Sequence, residues 1–157
     1  MSETDIVAKA KKIAETFHKT HRYGEKSLME GHLKKVAGSR LISDDVDVAV
    51  AYLHEILDRT SYSAICSDFG PEVYLPVQIL TKNKDEEYAE FILRIRDSGD
   101  RTAIVVKISD LAAGIEHLRS LRDRKRLNSK DSEMLQKYML AFDILHTSLI
   151  NKSWRYE

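Results

Sequence analysis

The chain has 157 residues, 43% hydrophobic and 32% charged, which suits one globular domain with a sizeable core and not a disordered protein. Its 25 Lys and Arg residues balance its 25 Asp and Glu residues, so charge gives no reason to expect nucleic-acid binding. Cys66 is the single cysteine, which excludes a disulfide framework and a thiolate zinc site. The sequence shows no signal peptide and no membrane-length apolar run, so we predict a cytoplasmic protein without membrane insertion.

The first predicted element is an amphipathic helix at the N-terminus. Its apolar stripe repeats at about 3.6 residues and consists of Ile6, Ala10, Ile13 and Phe17. Ser2 or Thr4 could cap its start, and Gly24 supplies a natural stop after it.

A second helix is predicted from side chains spaced by four positions. Leu28, His32 and Val36 share one face of it, so His32 is placed among apolar residues. This position is typical of a hydrogen-bonded core histidine, and it also suits a buried metal ligand.

The strongest apolar pattern predicts a buried central helix over residues 49–60, with Ser43-Asp44-Asp45 as its start. Its stripe consists of Val46, Val50, Leu53 and Leu57. His54 and Glu55 are adjacent at the edge of this stripe, and Asp58 follows one turn after His54. Neighbouring imidazole and carboxylate groups suit a divalent cation with mixed nitrogen and oxygen ligands, although the pattern also fits an ordinary polar flank.

Residues 60–63 are predicted to end the central helix and to cap a short helix through Phe69, and two further helices follow before residue 101. Gly70-Pro71 indicates a stop and a restart, and Pro76 predicts a kink or a new start. Tyr88 to Ile95 carries the next helical pattern, which ends at Ser98-Gly99-Asp100.

The segment from Arg101 to Leu118 carries two distinct faces of one predicted helix. The apolar face consists of Ile104, Ile108, Leu111, Ile115 and Leu118. The second face consists of Lys107, Asp110, Gly114 and His117. A solvent-exposed face with a weak Lys107–Asp110 pair is one interpretation, and a ligand-binding face is the other.

A basic segment and a last helix complete the chain. Residues 119–130 are rich in Arg and Lys and could contact phosphates, but the absence of interleaved aromatics favours a solvated loop between helices. The last helix carries Leu135, Tyr138, Phe142, Leu145 and Leu149. We predict an all-α single domain over residues 1–157, with about seven or eight helices.

The order of the motifs resembles the HD-domain phosphohydrolases, most closely the small single-domain relatives of the RelA/SpoT-type hydrolases. The resemblance extends over residues 10–120. Its motifs are residues 20–26 leading to His32, residues 51–60 around His54-Glu55, then Phe69-Gly70, Thr81-Lys82 and Lys107-Ile108-Ser109-Asp110. The resemblance implies an HD-type helical bundle that holds one divalent metal ion, with Mn²⁺ as the first candidate. The implied ligands are His32, His54, Glu55 and Asp110.

Other site roles follow from the resemblance and from charge. Asp58 takes the place of the acid that orients water or shuttles a proton, with Arg59 beside it where the family has a second acid. Glu55 stands where the family has Asp, Gly114 where it has a nucleotide-contacting Asn, and His117 where it has a Thr. The expected substrate-binding residues are Arg22, Lys26, Lys107, Gly114 and His117. Arg59 either contacts phosphate, pairs with Glu55 or replaces a lost acid.

The resemblance implies a metal-dependent phosphohydrolase whose partner is a small nucleotide, with a guanosine tetraphosphate-type alarmone as the first substrate to test. One alternative is an HD-type reaction on another nucleotide. A second is a catalytically degenerate domain that binds a nucleotide or a protein. No nucleic-acid or membrane partner is expected, and the sequence leaves the oligomeric state open, a homo-oligomer included.

Overall fold

The computed structural model describes residues 4–58 and 68–153, and most of these residues are helical. The α-helices are α1 Asp5–Phe17, α2 Lys34–Ala37, α3 Asp45–Leu53, α4 Pro71–Ile79, α5 Tyr88–Ser98, α6 Arg101–Asp123 and α7 Ser129–Ser153. A π-helical turn, Met29–Leu33, precedes α2, and a 3-10 turn, Ile56–Asp58, follows α3. The prediction of an all-α bundle is confirmed. None of the described helices is long and apolar enough to cross a membrane.

The buried face of α1 differs from the predicted stripe. Val7, Ala10 and Ala14 are the buried residues of this helix, whereas Phe17 is 41% exposed. The small Ala10 and Ala14 side chains let α1 pack closely against α3. Ala10 is buried as predicted and Ile6 and Ile13 pack against the core, so Phe17 is the residue of the predicted stripe that the fold leaves exposed.

A short antiparallel hairpin, which the sequence analysis did not predict, lies between α1 and the π-helical turn. Strands β1 (Arg22–Tyr23) and β2 (Lys26–Ser27) pair with Arg22 opposite Ser27. Gly24 occupies the turn with φ +64°, a left-handed conformation that favours glycine. Gly24 is therefore the turn of a hairpin and not the stop of α1, which already ends at Phe17.

The central helix α3 is shorter than predicted. It starts at Asp45, after Asp44 accepts a hydrogen bond from the Asp47 amide at 2.8 Å, and it ends at Leu53 instead of Thr60. The His54 Nδ1 atom lies 2.6 Å from the Ala51 carbonyl oxygen, which the Glu55 amide would need in a continuing helix. Competition for this acceptor explains why Glu55 lies in a turn. Arg59, Thr60 and most of the short helix predicted after them fall outside the described residues.

The long helix α6 forms the centre of the bundle and packs against α3 and α7. All five residues of its predicted apolar face are buried, which confirms that face. The helix continues to Asp123, so the first part of the basic segment is helical and not a loop. Pro71 is at the first turn of α4, and Pro76 lies inside that helix instead of starting a new one.

Candidate metal centre

Four side chains from three parts of the fold meet in one cluster. His32 comes from the π-helical turn, His54 and Glu55 from the end of α3, and Asp110 from the middle of α6. One ligand atom of each residue lies within 4.8 Å of the ligand atoms of the other three. The cluster contains the same four residues that the sequence predicted as metal ligands.

Asp110 is at the centre of this cluster. Its Oδ1 atom lies 2.6 Å from Nε2 of His32 and 3.4 Å from Nε2 of His54. Glu55 approaches from the open side, with Oε1 3.9 Å from Nε2 of His54. Glu55 is also the more exposed acid, with 37% of its side chain accessible against 14% for Asp110.

The orientation of His54 leaves one ring nitrogen directed into the cluster. Its Nδ1–H donates to the Ala51 carbonyl, so Nε2 carries the lone pair. The His54 Nε2 atom is buried and has no hydrogen-bond partner among the described residues. A histidine whose second nitrogen donates to a backbone carbonyl has the usual arrangement of a metal ligand.

Lys107 adds a positive charge directly beside the cluster. Its Nζ lies 2.8 Å from Oδ2 of Asp110, and only 12% of its side chain is exposed. Burial alone would raise the pKa of Asp110, but Lys107, His54 and His32 hold it well below its usual range. The Lys107–Asp110 contact is therefore a largely buried ion pair, and the interpretation as a weak surface pair is wrong.

The donor set fits a divalent cation. Two imidazoles and two carboxylates suit borderline ions such as Mn²⁺, Fe²⁺, Co²⁺ or Zn²⁺. The short contact between His32 and Asp110 needs a proton between two potential ligands, and a cation would take the place of that proton. The unpartnered Nε2 of His54 faces the same position.

A small pocket of about 150 Å³ opens over the cluster. Its lining residues are His54, Glu55, Leu80, Thr81, Lys82, Phe91, Lys107 and Asp110. Arg94 braces the wall that carries Thr81, since it donates to the Ile79 and Thr81 carbonyls at 3.0 Å and pairs with Glu86. The Thr81-Lys82 motif therefore lies at the pocket.

A second pocket of about 400 Å³ lies on the other side of Tyr23. Four cationic side chains line it, namely Lys26, Lys35, Arg124 and Arg126. Glu25 is its only acidic lining residue, and it pairs with Arg126 at 3.4 Å. The pocket therefore carries a net positive charge that suits an anionic ligand.

The predicted substrate-binding residues do not form one group. Lys26 and His117 line the cationic pocket, whereas Lys107 lines the pocket over the metal cluster. The Arg22 side chain is exposed and donates to the carbonyl of Glu25 within its own hairpin. The three cations among these predicted residues, Arg22, Lys26 and Lys107, are thus divided among three places.

Gly114 does not offer an open surface to a ligand. A Cβ atom at this position would lie 3.0 Å from Cε2 of Tyr138. The aromatic ring from α7 therefore fills the space beside Gly114.

Asp58 lies in the 3-10 turn directly after Glu55, while its side chain and the whole of Arg59 fall outside the described structure.

Sequence reasoning missed three groups of residues near the site. Arg124 and Arg126 line the cationic pocket, although a solvated loop was the favoured prediction for their segment and phosphate contact only the alternative. Tyr23 stacks on His32 and also contacts His117, with ring centroids 4.7 Å apart in both pairs. Tyr138 was predicted only as part of the core. The available signal for Tyr23 was its place in the motif that leads to His32.

No known family model matches the chain, and no curated protein matches it in sequence.

Proposed function

We propose that this protein is a metal-dependent phosphohydrolase that acts on a nucleotide, with a guanosine tetraphosphate-type alarmone as the first substrate to test. The observation that supports this most is the buried, unpartnered Nε2 of His54 inside a group of four donors. A buried lone pair without a partner is costly unless a ligand satisfies it. A divalent cation is the ligand whose chemistry suits this donor set.

The cation would be held by His32, His54, Glu55 and Asp110, and Mn²⁺ is the first ion to test. Such an ion lowers the pKa of water and neutralises charge on a phosphoryl oxygen. The Ala51 carbonyl fixes the His54 ring for this task, because it anchors Nδ1 at 2.6 Å. Glu55 is the most exposed of the four ligands and borders the side from which a substrate would enter.

Lys107 is suited to bind the reacting phosphoryl group. Its ammonium group lines the small pocket and already pairs with Asp110 at 2.8 Å. A phosphoryl oxygen beside Lys107 would share this charge, which stabilises the negative charge that develops during attack by water. Asp58 follows Glu55 closely in the chain, and we assign it the role of orienting the water or carrying its proton.

The cationic pocket is suited to the remote end of the nucleotide. Its volume of about 400 Å³ lies within the range that small-molecule sites occupy. Arg124, Arg126, Lys26 and Lys35 supply several donors for phosphate oxygens. Tyr23 lies between this pocket and His32, so a nucleotide that reaches the metal would pass along its ring.

The order of the motifs further supports an HD-type reaction. By that resemblance the RelA/SpoT branch releases pyrophosphate from the ribose 3′ position. One observation favours a different nucleotide, because Tyr138 fills the space beside Gly114, where the family has an amide side chain. Another nucleotide phosphate ester is therefore the second candidate substrate.

A panel of nucleotides incubated with the protein and Mn²⁺, with all products resolved, tests this proposal. We expect release of pyrophosphate or phosphate that requires Mn²⁺ and that His54→Ala abolishes. His146→Ala, which changes an exposed histidine on α7, is the matched control and should retain turnover. Absence of any metal-dependent product across the panel would overturn the enzymatic proposal.

A further inference from the structure

Two tyrosine side chains from different elements meet beside Gly114, one helical turn beyond Asp110 on α6. A Cβ atom at position 114 would lie 3.0 Å from Cε2 of Tyr138 and 3.9 Å from the hydroxyl oxygen of Tyr23. Tyr138 comes from α7, and Tyr23 comes from β1. The missing side chain at Gly114 gives both phenol rings room on the face that carries Asp110.

Both rings are held in place by their neighbours. Tyr23 stacks on His32 with ring centroids 4.7 Å apart and an interplanar angle of 26°. Tyr138 packs against Tyr88 with ring centroids 6.2 Å apart. Fixed rings lose little conformational entropy when a ligand binds, so their hydroxyl groups are preorganised donors.

The two hydroxyl groups have no hydrogen-bond partner within residues 4–58 and 68–153. A phenol is protonated at neutral pH, because its ordinary pKa is about 10. Each of the two hydroxyl groups therefore offers an unused O–H donor near the metal cluster.

We propose that Tyr23 and Tyr138 are substrate-contacting residues that donate hydrogen bonds to the group adjoining the phosphoryl group at the metal centre. This inference rests on the proposed phosphohydrolase function. Gly114 lies four positions after Asp110, so the two positions are about 5–6 Å apart on the helix face. A phosphate bonded to the one at the metal centre would extend over a similar distance, from Asp110 toward Gly114. Helix α7 thereby supplies a polar contact that position 114 itself cannot make.

Calorimetric titration of the full-length, Mn²⁺-loaded protein with inorganic pyrophosphate and with inorganic phosphate tests this assignment. Tyr23→Phe and Tyr138→Phe each remove one hydroxyl group and keep the ring. Each should weaken pyrophosphate binding about 3- to 10-fold, the usual effect of losing one hydrogen bond. Phosphate binding should not change, because phosphate has no adjoining group for the phenols to contact.

His146→Ala is the matched control. His146 is exposed on α7 and lines neither the small pocket nor the cationic pocket, so its substitution should leave both affinities unchanged. Thermal melting of each variant checks that the fold is intact. Equal pyrophosphate affinity in wild type, Tyr23→Phe and Tyr138→Phe would overturn the inference and leave the proposed function standing. A wild-type protein that takes up Mn²⁺ but binds neither anion would overturn both.

Discussion

Asp110 lies between a lysine and a histidine: Lys107 Nζ is 2.8 Å from one of its oxygens, and His32 Nε2 is 2.6 Å from the other. This arrangement keeps the carboxylate charged in a buried position, because each oxygen has a positively polarised neighbour. The pKa of Asp110 lies well below its usual range for the same reason. The ligand carboxylate is thus ionised before any metal arrives.

Lys107→Met should destabilise the metal-free protein by about 3–5 kcal/mol, because it leaves the buried Asp110 charge without its partner. Mn²⁺ should restore most of the loss, since the cation supplies the missing positive charge. Thermal melting with and without Mn²⁺ measures both effects. Lys34→Met is the matched control, because Lys34 pairs with Glu30 on the exposed surface and its loss should leave stability nearly unchanged.

A rise in pH should destabilise the metal-free protein and should strengthen the stabilisation by Mn²⁺. Burial lowers the pKa of His54, but Asp110 and Glu55 outweigh it, so the pKa is raised above the ordinary value of 6.5. The metal-free fold therefore gains stability from this proton below pH 6.5 and loses it as the pH rises through the folded pKa. Mn²⁺ requires the neutral imidazole, so the stabilisation by Mn²⁺ should increase with pH. Melting curves measured below and above pH 6.5, with and without Mn²⁺, test this prediction. A stabilisation by Mn²⁺ that shrinks as pH rises would contradict it.

Gly114→Asn should destabilise the protein by about 1–3 kcal/mol, because the new side chain would overlap the ring of Tyr138. The Cβ atom alone would lie 3.0 Å from that ring. The double variant Gly114→Asn with Tyr138→Ala should be less destabilised than the sum of its single changes. Unfolding by urea measures the coupling, and strict additivity would show that the two positions do not compete for space.

Asp58→Asn should lower turnover by about 10²- to 10⁴-fold with the metal content unchanged, as expected for loss of acid–base help. Steady-state kinetics and metal analysis of the same preparation separate the two roles. Near-normal turnover would remove Asp58 from the mechanism. Loss of the metal would instead make it a ligand.

Much of the fold could be predicted because its helices have clear periodicity. The apolar face of α6 was predicted correctly, since a long helix repeats its pattern often enough to identify that face. The hairpin around Gly24 was missed because strands of two residues carry no periodicity. The early end of α3 was missed because it depends on the His54 side chain competing for one backbone carbonyl.

The four candidate metal ligands could be predicted from the order of the motifs in the sequence, but the residues that surround them could not. His32, His54, Glu55 and Asp110 were identified together, and they lie together in the fold. The contact between Gly114 and Tyr138 joins two helices and leaves no local pattern in the sequence. The place of Arg124 and Arg126 at the cationic pocket likewise depends on how the α6–α7 connection folds back toward the hairpin.

We predict that His32, His54, Glu55 and Asp110 bind one divalent cation. Metal analysis of wild type, His54→Ala and the control His146→Ala after loading with Mn²⁺ and removal of free ion tests it most directly. We predict one bound ion per chain in wild type and the control, and none in His54→Ala, with the helical circular dichroism signal retained in all three. The same metal occupancy in His54→Ala as in wild type would contradict the claim.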